Sequence, residues 1–277
     1  MLTIFSSPRP FKNEFDLIQR NAIQSWIANC PGCEIILVGD DGGTDRAAVD
    51  FGIKHIPSIE RNEEGSILRN SVFEEAQKSA KNDLLCFINA DIVLAGNFLE
   101  AIKRINFSSF MLSVRRWDLE VKEKINFANN DWQELFLRRI GREGKLHGFS
   151  AGDFFIFPKN IKLDMPPFSI KHGGWDNWFI YKFKALGIPV IDATEVITVI
   201  HQNHERPRLK SVWKSESGKR ELRLAGGFSN MCTLREADWI LTTEGLRRPQ
   251  FARQIFSKLA LFYPWRLILA FKRRLLS

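Results

Sequence analysis

The stretch LLCFINADIVL, from Leu84 to Leu94, decides the fold. Its first part is continuously apolar, which is typical of a strand buried on both faces of a sheet. The run stops at Asn89 and Asp91, and apolar residues resume directly afterwards. Because an unpaired amide or carboxylate is costly to bury, we expect the strand to end here, with both polar side chains at the rim of the sheet facing a cleft.

Short apolar runs alternate with helix-period segments through the first two thirds of the chain. The strand-like runs are LTIF, EIILV, IKHI, DLLCFI, FMLSV, DFFIF, PVIDA and VITVI. Helix-like segments lie between them, for example from Ser66 to Ser79 and over GGWDNWFIYKFKALG, which Gly187 closes. This alternation predicts an α/β fold in which helices flank a mostly parallel central sheet.

Polar residues follow three of the predicted strands. Ser6 and Ser7, followed by Pro8, come after the first, Asp40 and Asp41 after the second, and Asn89 and Asp91 after the fourth. Open α/β sheets bind ligands at the carboxyl ends of their strands, so these residues are candidates for one site. Taken alone, Asn89 and Asp91 are either oxygen ligands of a hard cation such as Mg²⁺ or Mn²⁺, or a pair that caps the strand end.

Two segments resemble a known family. LVGDDGGTD is similar to the VDDGSxD segment of family 2-type glycosyltransferases of the GT-A fold, and INADI resembles their DXD segment, with Asn89 in the first acidic position. The resemblance implies a Rossmann-like GT-A fold and a nucleotide-diphosphate sugar as donor substrate. It also implies that Asp40 and Asp41 contact the base and ribose, and that Pro8 lines the nucleotide pocket. Asp91 would bind the Mn²⁺ or Mg²⁺ ion on the diphosphate.

A second carboxylate is needed for an inverting transfer, because a sugar hydroxyl is a poor nucleophile near neutral pH. Asp176 follows a Gly-Gly turn in GGWDNWF, where the resembled family holds its general base; Asp153 in SAGDFF is the rival. Trp175, Asn177 and Trp178 are predicted to bind substrate, since tryptophan faces match the apolar faces of sugar rings. The alternative is that Asp176 caps a helix and the tryptophans are core.

Two histidines follow the last predicted strand, His201 and His204 in VIHQNH. HQNH resembles the C-terminal histidine that completes the metal site in many GT-A enzymes, and the sequence does not decide between the two. With Asp91, one imidazole, phosphate oxygens and water would complete a six-coordinate ion. A Cys₂His₂ zinc site with Cys30 and Cys33 is rejected, because its two halves lie far apart in the sequence.

The composition, 44% hydrophobic and 26% charged, is that of an ordinary globular protein. No segment approaches the roughly 20 apolar residues that span a bilayer, and LTIF lacks the basic flank of a secretory signal. The four cysteines show no framework spacing, so free thiols in a reducing cytoplasm are expected. The CxxC spacing of Cys30 and Cys33 is only a weak indication of a redox role.

The formal charge of +8 indicates an anionic partner, and much of the excess lies in residues 247–277. This tail alternates apolar residues with cations and has no acid after Glu244, as in amphipathic helices that lie on anionic membranes. The alternative is packing on the catalytic domain or on a second subunit. Elsewhere the basic residues form no aromatic-interleaved groove, so no nucleic-acid partner is expected. We expect a cytoplasmic protein with a peripheral contact at the inner face of the membrane.

These features predict a metal-assisted, inverting glycosyltransferase with a glycan or lipid-linked acceptor, as in polysaccharide biosynthesis. The predicted GT-A domain spans residues 1–205, with a nucleotide-sugar half over about 1–115 and an acceptor half over about 116–205, and a helical basic extension follows over 206–277. Two alternatives stay open. One is a sugar nucleotidyltransferase, although SSPRPF matches its phosphate loop poorly; the other is a non-catalytic carbohydrate-binding domain, which the neutral Asn89 keeps open.

Overall fold

The structure is a computed structural model that describes residues 1–150, 152–204 and 215–250. Its strands are β1 (Leu2–Ser6), β2 (Glu34–Val38), β3 (Lys54–Ile56), β4 (Leu84–Ile88), β5 (Ile92–Ala95), β6 (Met111–Ser113), β7 (Trp117–Leu119), β8 (Lys145–Leu146), β9 (Phe154–Pro158), β10 (Val190–Asp192), β11 (Thr198–Gln202), β12 (Trp239–Thr242) and β13 (Gly245–Arg247). Its helices are α1 (Glu14–Asn29), α2 (Thr44–Phe51), α3 (Arg69–Ser79), α4 (Phe98–Lys103), α5 (Trp132–Glu143), α6 (Trp175–Ala185) and α7 (Glu216–Leu224).

Within these residues, nine strands form a central sheet in the order β13-β12-β10-β6-β9-β4-β1-β2-β3. The pairs β1–β2, β1–β4, β2–β3, β6–β10 and β10–β12 are parallel. Strand β9 runs antiparallel to both of its neighbours, and β13 runs antiparallel to β12. The predicted α/β class with a mostly parallel central sheet is confirmed.

Strand β4 shows why the central strands are continuously apolar. Successive side chains of a strand point to opposite faces, and here each face is covered by helices. Cys86 and Ile88 pack in the core that contains Trp26 of α1. Leu85 and Phe87 pack in the core on the other face, which contains residues of α3 and α6.

A smaller sheet, in the order β5-β11-β7-β8, begins directly after β4. The chain turns at Asn89, whose carbonyl accepts from the N–H of Ile92 at 3.1 Å, and enters β5. Helix α5 packs against this sheet through Trp132 and Phe136. The sequence predicts β11, through VITVI, but not the rest of this sheet, because β5, β7 and β8 are short and β7 lies beside a polar segment.

Two features differ from the predictions. The helix expected from Ser66 begins at Arg69, because Leu68 has an extended backbone and the hydroxyl of Ser66 contacts that of Ser169 at 2.6 Å. The central sheet also continues past residue 205, the predicted end of the GT-A domain, since β12 pairs with β10. Most of the predicted basic tail, residues 251–277, lies outside the described residues. Among the helices described here, none is both long and apolar enough to cross a membrane.

Cys30 and Cys33 form a disulfide just after α1. The turn that closes them brings the N–H of Cys33 to the carbonyl of Cys30 at 3.0 Å, with 5.5 Å between the two Cα atoms, a normal separation for a disulfide. The prediction of free thiols is therefore wrong for this pair. Cys86 and Cys232 are free and buried.

Candidate metal and catalytic site

Asp91 lies at the junction of the two sheets, between β4 and β5. Its side chain is 17% exposed, which fits the expected place at the rim of the sheet. The backbone carbonyl of Asp91 accepts from the N–H of Gln202 at 3.1 Å. The turn after β4 is therefore fixed to the end of β11, the strand that carries the first predicted histidine.

Two histidines lie against Asp91. His201 is the register partner of Ile92 on the antiparallel strand β5, and its Nε2 lies 3.5 Å from Oδ2 of Asp91. His204 follows the strand and places Nε2 3.3 Å from the same oxygen. The ligand atoms of the three residues all lie within 4.8 Å of one another. The structure thus brings together all the predicted metal residues, and both histidines belong to the cluster.

These three side chains fit a divalent cation. Oδ1 of Asp91 is buried and has no hydrogen-bond partner among the described residues, so it is an unmet acceptor that a cation would satisfy. Burial opposes the charge of this carboxyl, but His201 and His204 outweigh it and hold the pKa of Asp91 well below its usual range. Mg²⁺ prefers oxygen ligands alone, so the two imidazoles favour Mn²⁺ over Mg²⁺, and the same donor set also suits Fe²⁺ or Zn²⁺.

A buried ionic network joins this cluster to the start of β9. Arg116 pairs with Asp118, with Nε 2.9 Å from Oδ1, and with Oδ2 of Asp153. The amide of Asn89 donates to Oδ1 of Asp153 at 2.6 Å. Both carboxylate oxygens of Asp153 are therefore engaged, which disfavours its predicted role as a rival base. The side-chain amide of Asn89, which the sequence predicts to bind the cofactor, is engaged in this hydrogen bond to Asp153.

Asp176 is better placed to act as a base. It lies in the first turn of α6, directly after Gly173 and Gly174, and Gly174 has a φ of 98° that favours glycine. The N–H of Gly174 donates to Oδ1 of Asp176 at 3.1 Å. Burial and the nearby Asp153 raise the pKa of Asp176 to about 6. A carboxylate with this pKa is deprotonated at neutral pH and is a stronger base than an ordinary aspartate.

Arg69 is a buried cation in the same region, at the start of α3. Its guanidinium lies over the ring of Trp175, 3.9 Å from the centroid, and the residue is 4% exposed. Burial lowers the pKa of Arg69 to about 9, and the charges of Asp176 and Asp153 oppose that shift. Nε and Nη1 have no hydrogen-bond partner in the described part of the chain. The site therefore holds a guanidinium with unused donors.

The predicted substrate residues beside Asp176 have structural roles. Trp175 is 5% exposed and packs on Phe87, and Trp178 is 6% exposed. Rings buried this deeply present no face to a sugar, so the stacking prediction is corrected to a packing role. Asn177 donates its amide to the carbonyl of Cys232 at 2.9 Å and accepts the N–H of Cys232 at 2.9 Å, which fastens that later segment to α6.

The predicted nucleotide residues lie at the same edge of the central sheet. Asp40 and Asp41 follow β2, the buried Pro8 follows β1, and β1 lies between β2 and β4. Neighbouring strands are about 4.8 Å apart, so the end of β2 lies roughly 10 Å from the end of β4. The Arg61 guanidinium pairs with Asp40 and lies 2.9 Å from Oδ1 of Asp41. This ion pair lowers the pKa of Asp40.

Three charged residues of the site are missing from the sequence analysis: Arg69, Arg116 and Asp118. Arg116 directly precedes β7, Asp118 is the second residue of that strand, and their side chains pair. Two opposite charges two residues apart at the start of a strand are the signal that could have indicated a buried ionic site. Arg69 gives no such signal, because a basic residue early in a helix is most often solvated.

No protein-family model matches the chain, and no curated protein matches it. Solved structures do match it. TarS from S. aureus, in complex with UDP-GlcNAc, is 14% identical, with a TM-score of 0.53 over 80% of this chain and 64% of that chain. A mycobacterial protein is 10% identical, with a TM-score of 0.51 over 82% of this chain and 75% of that chain. The chain has a GT-A-like fold.

This is the fold that the resemblance implied. The mannosyltransferase PcManGT from Pyrobaculum calidifontis, in complex with GDP-Man and Mn²⁺, is also similar, with 15% identity and a TM-score of 0.46 over 83% of this chain. The chain spans less than two thirds of the length of these two structures, 64% of the TarS chain and 62% of the PcManGT chain. At such identities the likeness concerns the fold alone.

Proposed function

We propose that this chain is a metal-assisted glycosyltransferase that takes its sugar from a nucleotide-diphosphate donor. The observation that carries the proposal is the cluster of Asp91, His201 and His204 after β4 of a GT-A-like sheet. TarS, which shares this fold, binds UDP-GlcNAc, and this supports a nucleotide sugar as the donor. A bound Mn²⁺ or Mg²⁺ ion would offset the negative charge that develops on the departing diphosphate.

The chain's own residues would bind the rest of the donor. Arg69 is only 4% exposed, and its Nε and Nη1 are buried, so it would attract the diphosphate through its positive charge. Asp40 and Asp41 would accept hydrogen bonds from the base and ribose, with Arg61 holding both carboxylates in place. The backbone near Pro8 would line the nucleotide pocket.

Asp176 would accept the proton of the attacking acceptor hydroxyl. Such a base on the face opposite the leaving diphosphate gives inversion at the sugar carbon. Its pKa of about 6 leaves it ionised at neutral pH, and the negative charge of Asp153 contributes to that value. An Asp176→Asn variant with full transfer activity would point to Asp153 or to a retaining mechanism instead.

Calorimetric titration of the full chain with UDP and with GDP, with and without Mn²⁺, tests the proposal. We expect diphosphate binding that strengthens at least about tenfold with Mn²⁺ and loses that gain in Asp91→Asn, because the variant removes the only carboxylate of the cluster. Asp131→Asn, an exposed aspartate before α5, is the matched control. A diphosphate affinity that is the same with and without Mn²⁺, and the same in the unaltered chain and in Asp91→Asn, would contradict the proposal.

The same titration separates the two alternatives. Binding of free sugars without any nucleotide would support a non-catalytic carbohydrate-binding domain. Binding of a nucleoside triphosphate together with a sugar phosphate, in preference to a nucleotide sugar, would support a nucleotidyltransferase. The unmet acceptor on Asp91 favours transfer over the non-catalytic alternative. In a domain that had lost its metal, a buried carboxylate oxygen without a partner would cost stability and bind nothing.

We further propose a glycan or lipid-linked hydroxyl as the acceptor, with residues 247–277 in contact with an anionic membrane on its cytoplasmic side. The support is the composition of this segment, in which cations alternate with apolar residues. Co-sedimentation with anionic and with neutral vesicles, for the full chain and for a chain ending at residue 250, tests the contact. Equal binding of the two chains to anionic vesicles would contradict it.

A further inference from the structure

Asp118 and His201 face each other across two parallel strands. They are register partners on β7 and β11, and Nδ1 of His201 lies 3.3 Å from Oδ1 of Asp118. The other ring nitrogen, Nε2, lies 3.5 Å from Oδ2 of Asp91. The imidazole, which is 3% exposed, is therefore held between two carboxylates, one at each nitrogen.

Asp118 is itself held from two sides. Nε of Arg116 lies 2.9 Å from Oδ1, and Nδ1 of His147 lies 2.9 Å from Oδ2. The Arg116 side chain is 7% exposed, and its other end pairs with Asp153. The carboxylate cannot swing away from His201 without breaking these contacts. Asp118 thus belongs to a rigid frame behind the metal cluster.

Asp118 and Asp91 are both acceptors, so the two carboxylates alone do not determine which nitrogen of a neutral imidazole carries the proton. A cation bound at Nε2 takes the lone pair there, and the ring proton is then on Nδ1, where Asp118 is the acceptor. Metal-binding histidines commonly donate their second N–H to a carboxylate in this way, which fixes the tautomer and the ring orientation.

We propose that Asp118 is a positioning residue that keeps His201 in the Nδ1–H tautomer, with Nε2 directed at the ion shared with Asp91 and His204. The inference rests on the proposed metal site. It identifies His201 as an oriented ligand of that site, and it gives the buried network of Arg116 and His147 a role in metal binding.

The first test needs no variant of Asp118. Histidine-selective isotope labelling of the full chain, with its five histidines, allows the ring nitrogens to be observed by NMR in the presence of saturating Mg²⁺, a diamagnetic ion. A His201→Gln variant assigns the signal of His201. We expect the Nδ1–H tautomer. An Nε2–H tautomer would overturn the inference and leave the proposed transfer reaction standing.

The second test measures Mn²⁺ affinity directly, by calorimetry or by the electron paramagnetic resonance signal of free Mn²⁺. We expect Asp118→Ala to lose about 10- to 100-fold in affinity, and Asp118→Asn, which keeps a weaker acceptor, to lose less. Asp192→Asn, a buried strand aspartate outside the cluster, should bind Mn²⁺ as the unaltered chain does. Thermal melts show that each variant is folded during the titration.

The outcomes separate this inference from the proposed function. Mn²⁺ binding that is equal in the unaltered chain and in both Asp118 variants would overturn the inference alone. An unaltered chain that binds no Mn²⁺ would overturn the metal site and the inference with it. A merely structural Asp118 would lower the melting temperature without changing Mn²⁺ affinity or the His201 tautomer, and this too would count against the inference.

Discussion

Gly152 lies directly against Asp176. A methyl group on Gly152 would lie 2.9 Å from Oδ2 of Asp176 and 2.8 Å from Cζ of Phe155, both closer than van der Waals contact allows. The candidate base therefore occupies space that a side chain at position 152 would fill. Position 152 therefore has to be glycine, because any side chain there would keep the first turn of α6 away from the carboxyl end of β4.

Gly152→Ala is expected to displace Asp176 and to lower transfer at least about tenfold, with a loss of roughly 1–3 kcal/mol in the free energy of unfolding from overpacking. Gly148→Ala is the matched control, because a methyl group there meets nothing within 4 Å. Release of nucleoside diphosphate from the donor and thermal denaturation provide the two measurements. Equal activity in the two variants would show that Asp176 is not the base or that it tolerates the shift.

Asp176→Asn is expected to stabilise the protein at neutral pH. The folded state holds the pKa of Asp176 at about 6, above the unfolded value near 3.9, so the folded state binds the proton more tightly. The stability from this group is complete below about pH 4 and is lost as pH rises through about 6, roughly 2–3 kcal/mol in all. Urea midpoints for both proteins at about pH 4 and about pH 7.5 measure the difference, which should appear only at the higher pH. The same pH dependence in both proteins would contradict the assignment.

Transfer should rise with pH and level off above the pKa of Asp176. A general base acts in its deprotonated form, so the rate should be half-maximal near pH 6. Rates at saturating donor across the range from about pH 5 to about pH 8 test this. A rate that falls over this interval would indicate a group that acts as an acid. In Asp176→Asn, donor binding should persist while transfer is lost.

Arg69→Gln is expected to weaken UDP or GDP binding by about tenfold, because it removes a positive charge from the donor site. Mn²⁺ affinity in the absence of nucleotide should not change, because Arg69 does not belong to the Asp91 cluster. Arg138→Gln on the exposed face of α5 is the control. Nucleotide binding that is unchanged in Arg69→Gln would remove this residue from the donor site.

The sheet and the order of its motifs could be predicted from the sequence, because they follow from apolar periodicity and from where polar residues interrupt it. LLCFI forms β4, and the chain leaves the core at Asn89, as the cost of burying polar groups requires. The choice between Asp153 and Asp176 could not be settled. It depends on Arg116, which lies just before β7 and pairs with Asp153 just before β9, a contact that only the fold shows.

The role of the two tryptophans beside Asp176 could not be predicted from the sequence. Trp175 and Trp178 flank a candidate base, and from sequence this place is equally compatible with a sugar platform and with a helix face in the core. Only the packing of α6 on the sheet, with both rings buried, decides between them. In the same way, an i and i+3 pair of histidines indicates a possible metal site, but only the pairing of β11 with β5 shows that both reach Asp91.

The reversed direction of β9 has a consequence for variation in loop length. Phe154, the first residue of β9, is paired with Ile88, the last residue of β4, whereas the end of β9 lies near Asp83 at the opposite edge. An inserted residue just before Phe154 would shift Asp153 out of register with Asn89. An insertion after Pro158 would leave that pair in place. Relatives of this chain should therefore differ in length over residues 159–165 far more than over residues 148–153.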